Sequence, residues 1–328
     1  MTLRHSQLRV AGIDLHLAQQ GEGPLVVLCH GYPGLWYSWR HQIPALAAAG
    51  YRAVALDMRG YGRSSRPLDS DEYGFDKTSA DVLAVLDHFG EDEAVLFGHD
   101  FGANLAWHMG IHHADRIRGI ASLCVPYDME MAGGSDSLPS GLFAEIAENH
   151  FFHMHYYQAV GVAEAHTAGH EREFLKRLFW ALCGEGSLLD WIDFPMEGTR
   201  YLDVLAEPPS DPPWPWLSAE DFDYYVQEYL CAGSDLAFIG GINSYRAMDR
   251  NWRLYRDSAH AEVPVPALFV GGAADPVTEL AGEAAFEGMR AKVKDLRGLE
   301  LLPGAGHFIQ QEAPEALNRL LVGFLEGL

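Results

Sequence analysis

Ala94-Val95-Leu96-Phe97 runs directly into Gly98-His99-Asp100-Phe101-Gly102, and how this stretch is read decides the fold. A short run that is apolar at every position reads as a strand buried on both faces. Phe101 to His113, with small residues near its start, reads as a helix. Glycines two before and two after Asp100 let strand and helix approach closely across a sharp, strained turn, leaving the Asp100 side chain at its apex. Taken alone, the same pentapeptide also fits a plain strand-to-helix turn with Asp100 as the helix cap, so the rest of the chain has to discriminate.

Apolar strand candidates stand at Pro24 to Cys29, Arg52 to Leu56, Ala94 to Phe97, Ile117 to Leu123, Pro266 to Val270 and Leu299 to Leu302, with helical patterns such as Lys77 to Phe89 between them. This alternation predicts the α/β class, a mostly parallel sheet flanked by helices on both faces. From about Ser135 to Trp252 it gives way to helical patterns rich in aromatics and histidine, broken by the proline-rich run Pro208 to Pro215. It resumes after Val263-Pro264-Val265-Pro266. The predicted organisation is a core segment 1–134, an inserted helical cap 135–255 and a second core segment 256–328, without internal repeats.

A chain of 328 residues with 48% hydrophobic content has room for one large domain and an insert, and excludes disordered and fibrous classes. The formal net charge of −23 repels phosphate backbones and anionic lipid, so neither nucleic acid nor membrane is an expected partner. The N-terminus has no continuous apolar run, and a cytoplasmic location is expected. Cys29, Cys124, Cys183 and Cys231 lack CxxC spacing and read as reduced, structural thiols. Whether the chain is a monomer or a homodimer is not decided by the sequence.

A carboxylate at the apex of the elbow is a weak nucleophile suited to displacement at saturated carbon, leaving an ester of the enzyme itself. The expected substrate is therefore an epoxide or an organohalide. Cleaving the ester needs a general base and an acid to orient it. His307 sits on the loop Pro303-Gly304-Ala305-Gly306-His307-Phe308 after the last predicted strand, and Asp275 ends Gly271-Gly272-Ala273-Ala274-Asp275 after the strand before it. Nucleophile, acid and base thus fall at the carboxyl ends of strands, where open α/β sheets bind ligands. After the strand at Leu25 to Cys29, His30-Gly31-Tyr32-Pro33 can turn a backbone amide inward, so the amides of Tyr32 and Phe101 are the expected oxyanion hole.

With these residues in place the chain resembles the epoxide hydrolases of the α/β-hydrolase superfamily over nearly its whole length. The matching stretches are His30 to Pro33, Trp36 to Arg40, Asp57 to Ser65 and Gly98 to Gly102, with Tyr156-Tyr157-Gln158, Gly161 to Glu164, Asn243 to Arg246 and Arg250 to Trp252 in the cap. The resemblance implies two cap side chains, usually both tyrosines, that donate to the epoxide oxygen as the ring opens. Tyr245 falls on one position and His153 on the other, a departure in which an imidazole replaces a phenol. His155 and Tyr156 are the alternatives for the second donor. His30, Pro33, Trp36, Tyr156 and Phe308 are expected to line the pocket of a small apolar epoxide, without cofactor or metal. His150, His153 and His155 lie close in sequence, but no HExxH or companion Cys or carboxylate set accompanies them.

Two rivals follow from the same residues. A dehalogenase shares the nucleophile, acid and base, but related haloalkane enzymes generally place Trp after the nucleophile and fluoroacetate enzymes place Arg, where this chain has Phe101. A non-catalytic receptor on the same fold need not keep a full constellation. A carboxylesterase would need serine at Asp100.

Overall fold

The computed structural model describes residues 2–127, 137–186, 189–258 and 260–328, apart from the side chains of Leu189 and Asp190. Among them eight strands form one sheet: β1 (Arg4–Val10), β2 (Ile13–Gln20), β3 (Leu25–Cys29), β4 (Arg52–Leu56), β5 (Ala94–His99), β6 (Ile117–Leu123), β7 (Ala267–Gly272) and β8 (Leu296–Leu302). Their order is β1-β2-β4-β3-β5-β6-β7-β8. From β4 to β8 every neighbouring pair is parallel, while β1 and β2 pair antiparallel with each other and β2 with β4.

The apolar strands are buried on both faces because helices cover each side. Along β3, Leu25, Val27 and Cys29 enter one core and Val26 and Leu28 the other; along β5, Ala94 and Leu96 part in the same way from Val95 and Phe97. The hairpin β1–β2 is an addition to the predicted strand set. Its outer strand alternates exposed polar residues with partly buried ones, so it carries no continuous apolar run.

The core helices are α1 (Gln42–Ala48), α2 (Phe75–Phe89) and α3 (Phe101–His112). Between β6 and β7 the chain leaves the sheet for the helices α4 (Pro139–Ala147), α5 (His153–Tyr156), α6 (Val162–Thr167), α7 (Glu171–Leu182), α8 (Tyr201–Val204), α9 (Ala219–Leu230), α10 (Ile239–Arg246) and α11 (Met248–Tyr255). The chain closes with α12 (Pro276–Lys292), α13 (Ile309–Glu312) and α14 (Pro314–Glu326). The expected boundary at 134/135 lies outside the described residues.

The inserted helices are tied to the core by ion pairs. Arg63 forks onto the buried Glu228 of α9 at 2.6–3.1 Å, Arg40 and the Tyr37 hydroxyl meet Asp221, and Arg250 of α11 forks onto Asp76 of α2. Bidentate pairs of this kind fix orientation as well as distance, so the insert is held in one pose over the carboxyl ends of the strands.

Candidate active site

At the end of β5 the backbone turns through Asp100 at φ 54° and ψ −117°, a conformation a non-glycine residue rarely adopts. Such strain costs about 1–3 kcal/mol and persists only where the surroundings over-determine it. Gly98 and Gly102 do so here: a Cβ on Gly98 would strike the Gly102 carbonyl, and one on Gly102 the Cys29 carbonyl of β3. Gly31 is equally confined, since a Cβ there would meet the Asp100 carboxylate. The loop after β3 can therefore pass close enough for the Tyr32 N–H to donate to Asp100 Oδ1 at 2.8 Å.

The other Asp100 oxygen, Oδ2, faces His307 Nε2 at 3.6 Å, and His307 Nδ1 lies 3.1 and 3.2 Å from the two oxygens of Asp275. Asp275 also caps α12, accepting from the Val277 N–H and the Thr278 hydroxyl. Cap and histidine partner are one role, because the helix end immobilises the carboxylate that orients the ring. Burial favours neutral His307, but the charge of Asp275, the facing Asp100 carboxylate and the hydrogen bond to Asp275 prevail and raise it well above the usual imidazole range. Burial likewise opposes ionisation of Asp100, yet the facing, positively charged His307, with the Tyr32 N–H, holds the carboxyl below its ordinary value.

The His307 loop is stapled from beneath. Glu312 of α13 accepts from the backbone N–H groups of Gly184, Gly306 and Phe308, each at 2.9 Å. His99 Nε2 and the Cys124 thiol both donate to the His307 carbonyl, at 2.7 and 3.2 Å. His99, Cys124 and His307 are the group of possible metal ligands found among the described residues, but donors committed to that carbonyl and to Asp275 make the group a clamp on the loop.

Above Asp100 stand the two cap side chains. His153 Nε2 of α5 lies 3.2 Å from the Tyr245 hydroxyl of α10. The imidazole is sandwiched between Trp191 and Tyr201, at 5.0 and 5.5 Å between ring centroids. Tyr157 stacks on Tyr245, and the Phe101 ring meets Tyr245 edge-on at 4.8 Å. Burial drives His153 down to about 3 against the opposing charge of Asp100, so the ring is neutral. Burial and the charge of Asp100 raise Tyr245 well above the usual phenol range, so it keeps its proton.

Comparison with known proteins places the chain in a family. Residues 24–314 match the model of the alpha/beta hydrolase fold family. Epoxide hydrolase A of Mycobacterium tuberculosis is 38% identical over 321 residues, covering 97% of this chain and 95% of the relative. The crystal structure of epoxide hydrolase A from Mycobacterium thermoresistibile superposes with a TM-score of 0.89 at 39% identity, over 100% of this chain and 99% of that one. An epoxide hydrolase from an endophytic Streptomyces gives 0.91 at 37%, over 99% and 96%. The chain belongs to the epoxide hydrolases of the α/β-hydrolase superfamily.

Within this epoxide hydrolase the expected pocket residues divide. His30 lines a cavity beside the site, but both its nitrogens are spent on backbone: Nδ1 donates to the Gly31 carbonyl and Nε2 accepts the Met58 N–H. Trp36 is a correction. Its amide donates to Asp57 and its indole N–H to Tyr224, and its ring packs against His5 and His16 beside β1 and β2. Tyr156 is another. Its hydroxyl is turned to His166 of α6 at 2.7 Å, because i+4 from His153 is Tyr157, the residue that shares the site-facing side of the turn. Phe308 is clamped between Phe179 and Trp216, anchoring the His307 loop to the cap. Pro33 is buried in the loop beyond Tyr32. No contact joins His155 to Tyr245 among the described residues, whereas His153 and Tyr157 both touch it.

Sequence reading missed Tyr201 and Glu312, while Trp191 reads from the sequence only as an aromatic of the insert that lines a tunnel or packs the cap on the core. The only advance signal for Tyr201 was the aromatic density of the insert. Glu312 had none beyond its place soon after His307.

Proposed function

We propose that the protein converts an epoxide and water to a vicinal diol through an ester on Asp100. An Asp100 oxygen attacks the less hindered ring carbon, the C–O bond breaks, and the departing oxygen takes the Tyr245 proton while His153, as the neutral Nε2–H tautomer, donates a second hydrogen bond. Consuming the Asp100 charge removes one of the two carboxylates that raise His307, so the imidazole gives up its proton, which by way of solvent restores the Tyr245 phenol, and acts as base once the ester exists. His307, oriented by Asp275, then takes a proton from water as that water attacks the ester carbonyl. The oxyanion forms at the oxygen held by the Tyr32 N–H, with the Phe101 N–H as the second donor. Collapse expels the diol and returns the carboxylate with one oxygen from water.

The observation that supports this most strongly is the double commitment of one carboxylate: Oδ1 bonded to a backbone amide and Oδ2 facing a histidine, beneath a phenol and an imidazole. Replacing His307 by Gln leaves no base for the second half. The expected result with styrene oxide is a stable protein species heavier by one substrate, read by intact-protein mass spectrometry. A single turnover of the unaltered enzyme in heavy-oxygen water should label Asp100 and not the diol; label in the first diol released rejects the ester.

A further inference from the structure

Next to Phe101, the residue that follows Asp100, lies a cavity of about 180 Å³ with helical stripes along two of its sides. One is α3, contributing Phe101, Asn104, Leu105, His108, Ile111 and His112, the i, i+3, i+4, i+7, i+10 and i+11 positions of one helix face. The facing wall is the α10–α11 pair, with Ser244, Met248, Asn251 and Tyr255. The inner end is Phe101, which follows Asp100 and touches Tyr245. The outer end is the partly exposed group His112, Tyr255 and Arg256.

His108 interrupts this wall with a polar group. Its ring is stacked on Phe75 of α2 at 4.6 Å and is only 7% exposed, and its Nε2 is buried without a hydrogen-bond partner among the described residues. An unmet buried donor or acceptor costs about 1–3 kcal/mol, so a ligand group that reaches this nitrogen recovers that cost. Its counterpart on the ligand is constrained by charge. Burial and the neighbouring His112 and His113 drive His108 down to about 3 against the pull of Asp76, and a neutral imidazole cannot compensate a buried carboxylate. It can satisfy a neutral oxygen as donor or acceptor.

We infer that the cavity holds the tail of an elongated, uncharged epoxide whose hydroxyl or carbonyl oxygen hydrogen-bonds to His108. The inference rests on the proposal that Asp100 opens the ring. The helix supplies the ruler: eight residues at about 1.5 Å each put His108 roughly 12 Å along the axis from Asp100, two turns beyond the reacting carbon.

The test uses the full chain and three matched substrates: the terminal epoxide of decene, the same epoxide with a hydroxyl at its far end, and the same with a carboxylate there. The hydroxyl compound is expected to exceed the plain one about tenfold in kcat/KM, and the carboxylate to fall below the hydroxyl. His108→Leu should bring the hydroxyl-to-plain ratio near one, and His108→Gln should restore part of it. Ile111→Trp, which narrows the outer half of the cavity, should lower kcat/KM for the decene series relative to styrene oxide. A ratio near one in the unaltered enzyme, a preference for the carboxylate, or a ratio insensitive to His108→Leu overturns the inference even where styrene oxide is turned over well. Failure to turn over styrene oxide at all overturns instead the proposal on which it rests.

Discussion

His307 Nε2 lies 3.6 Å from Asp100 Oδ2, too long for a strong hydrogen bond and short enough for an ion pair between a raised imidazole and a lowered carboxyl. In the resting enzyme the pair is charged, so in the proposed mechanism the base of the second half-reaction is protonated while the nucleophile of the first is ready. Acid should therefore spare alkylation and impede hydrolysis. Lowering the pH from 8 to 5 is expected to convert a linear time course into a burst of about one equivalent of ester, measured by quenched-flow mass spectrometry. On the alkaline side, Tyr245 keeps its proton well above the usual phenol range, so no loss of ring opening from its ionisation is expected below about pH 10.

The bond between His153 and Tyr245 predicts unequal partners. In the proposed reaction Tyr245 carries the proton that reaches the leaving oxygen, whereas neutral His153 supplies one hydrogen bond. Tyr245→Phe should lower the rate of ester formation by about 10²–10⁴-fold, the usual worth of a positioned general acid. His153→Phe should cost about tenfold, as one hydrogen bond does. Single-turnover rates of the two variants and their double would measure the coupling. Equal losses would assign the proton to both residues.

Legibility followed the range of the interactions. Asp100, Asp275 and His307 could be picked out because each stands just beyond an apolar strand, and local glycine and proline chemistry marks those turns. Their order along the chain needs no knowledge of the insert. Tyr245 and His153 were reachable only through motif resemblance. Trp191 and Tyr201 sandwich His153 from separate parts of the insert, a contact no local periodicity encodes. Trp36 was misplaced because its short motif places it near the oxyanion loop, while its direction is settled by Asp57 on β4's end and Tyr224 in the insert. The β1–β2 hairpin escaped because an edge strand shows polar residues on its open side.

Glu312 should act on catalysis without touching substrate. Its carboxylate satisfies three backbone N–H groups that set the His307 loop, and burial already raises its pKa against those bonds. Glu312→Gln turns one acceptor into a donor facing N–H groups, with an expected loss of about 1–3 kcal/mol in a urea melt. Displacing His307 should slow ester hydrolysis more than ester formation. The readout is a lower kcat with a lower KM, since the ester then accumulates.

Burial of neutral histidines makes a separate, thermodynamic prediction. His153 is held near 3 in the folded protein and returns to about 6.5 when unfolded, so between those values the unfolded chain binds a proton the folded one refuses. The stability contributed by keeping it neutral is complete above about 6.5 and is lost as the pH falls, by up to about 1.4 kcal/mol per pH unit. His307 has the opposite sign and another window. Its contribution is present below 6.5 and fades only as pH rises through its raised folded value. Urea melts between pH 6.5 and 4.5 therefore isolate the depressed histidines from His307. Over that range His153→Phe should lose stability less steeply than the unaltered protein, the difference approaching about 1.4 kcal/mol per unit. Parallel slopes would mean that His153 takes up its proton without unfolding the cap.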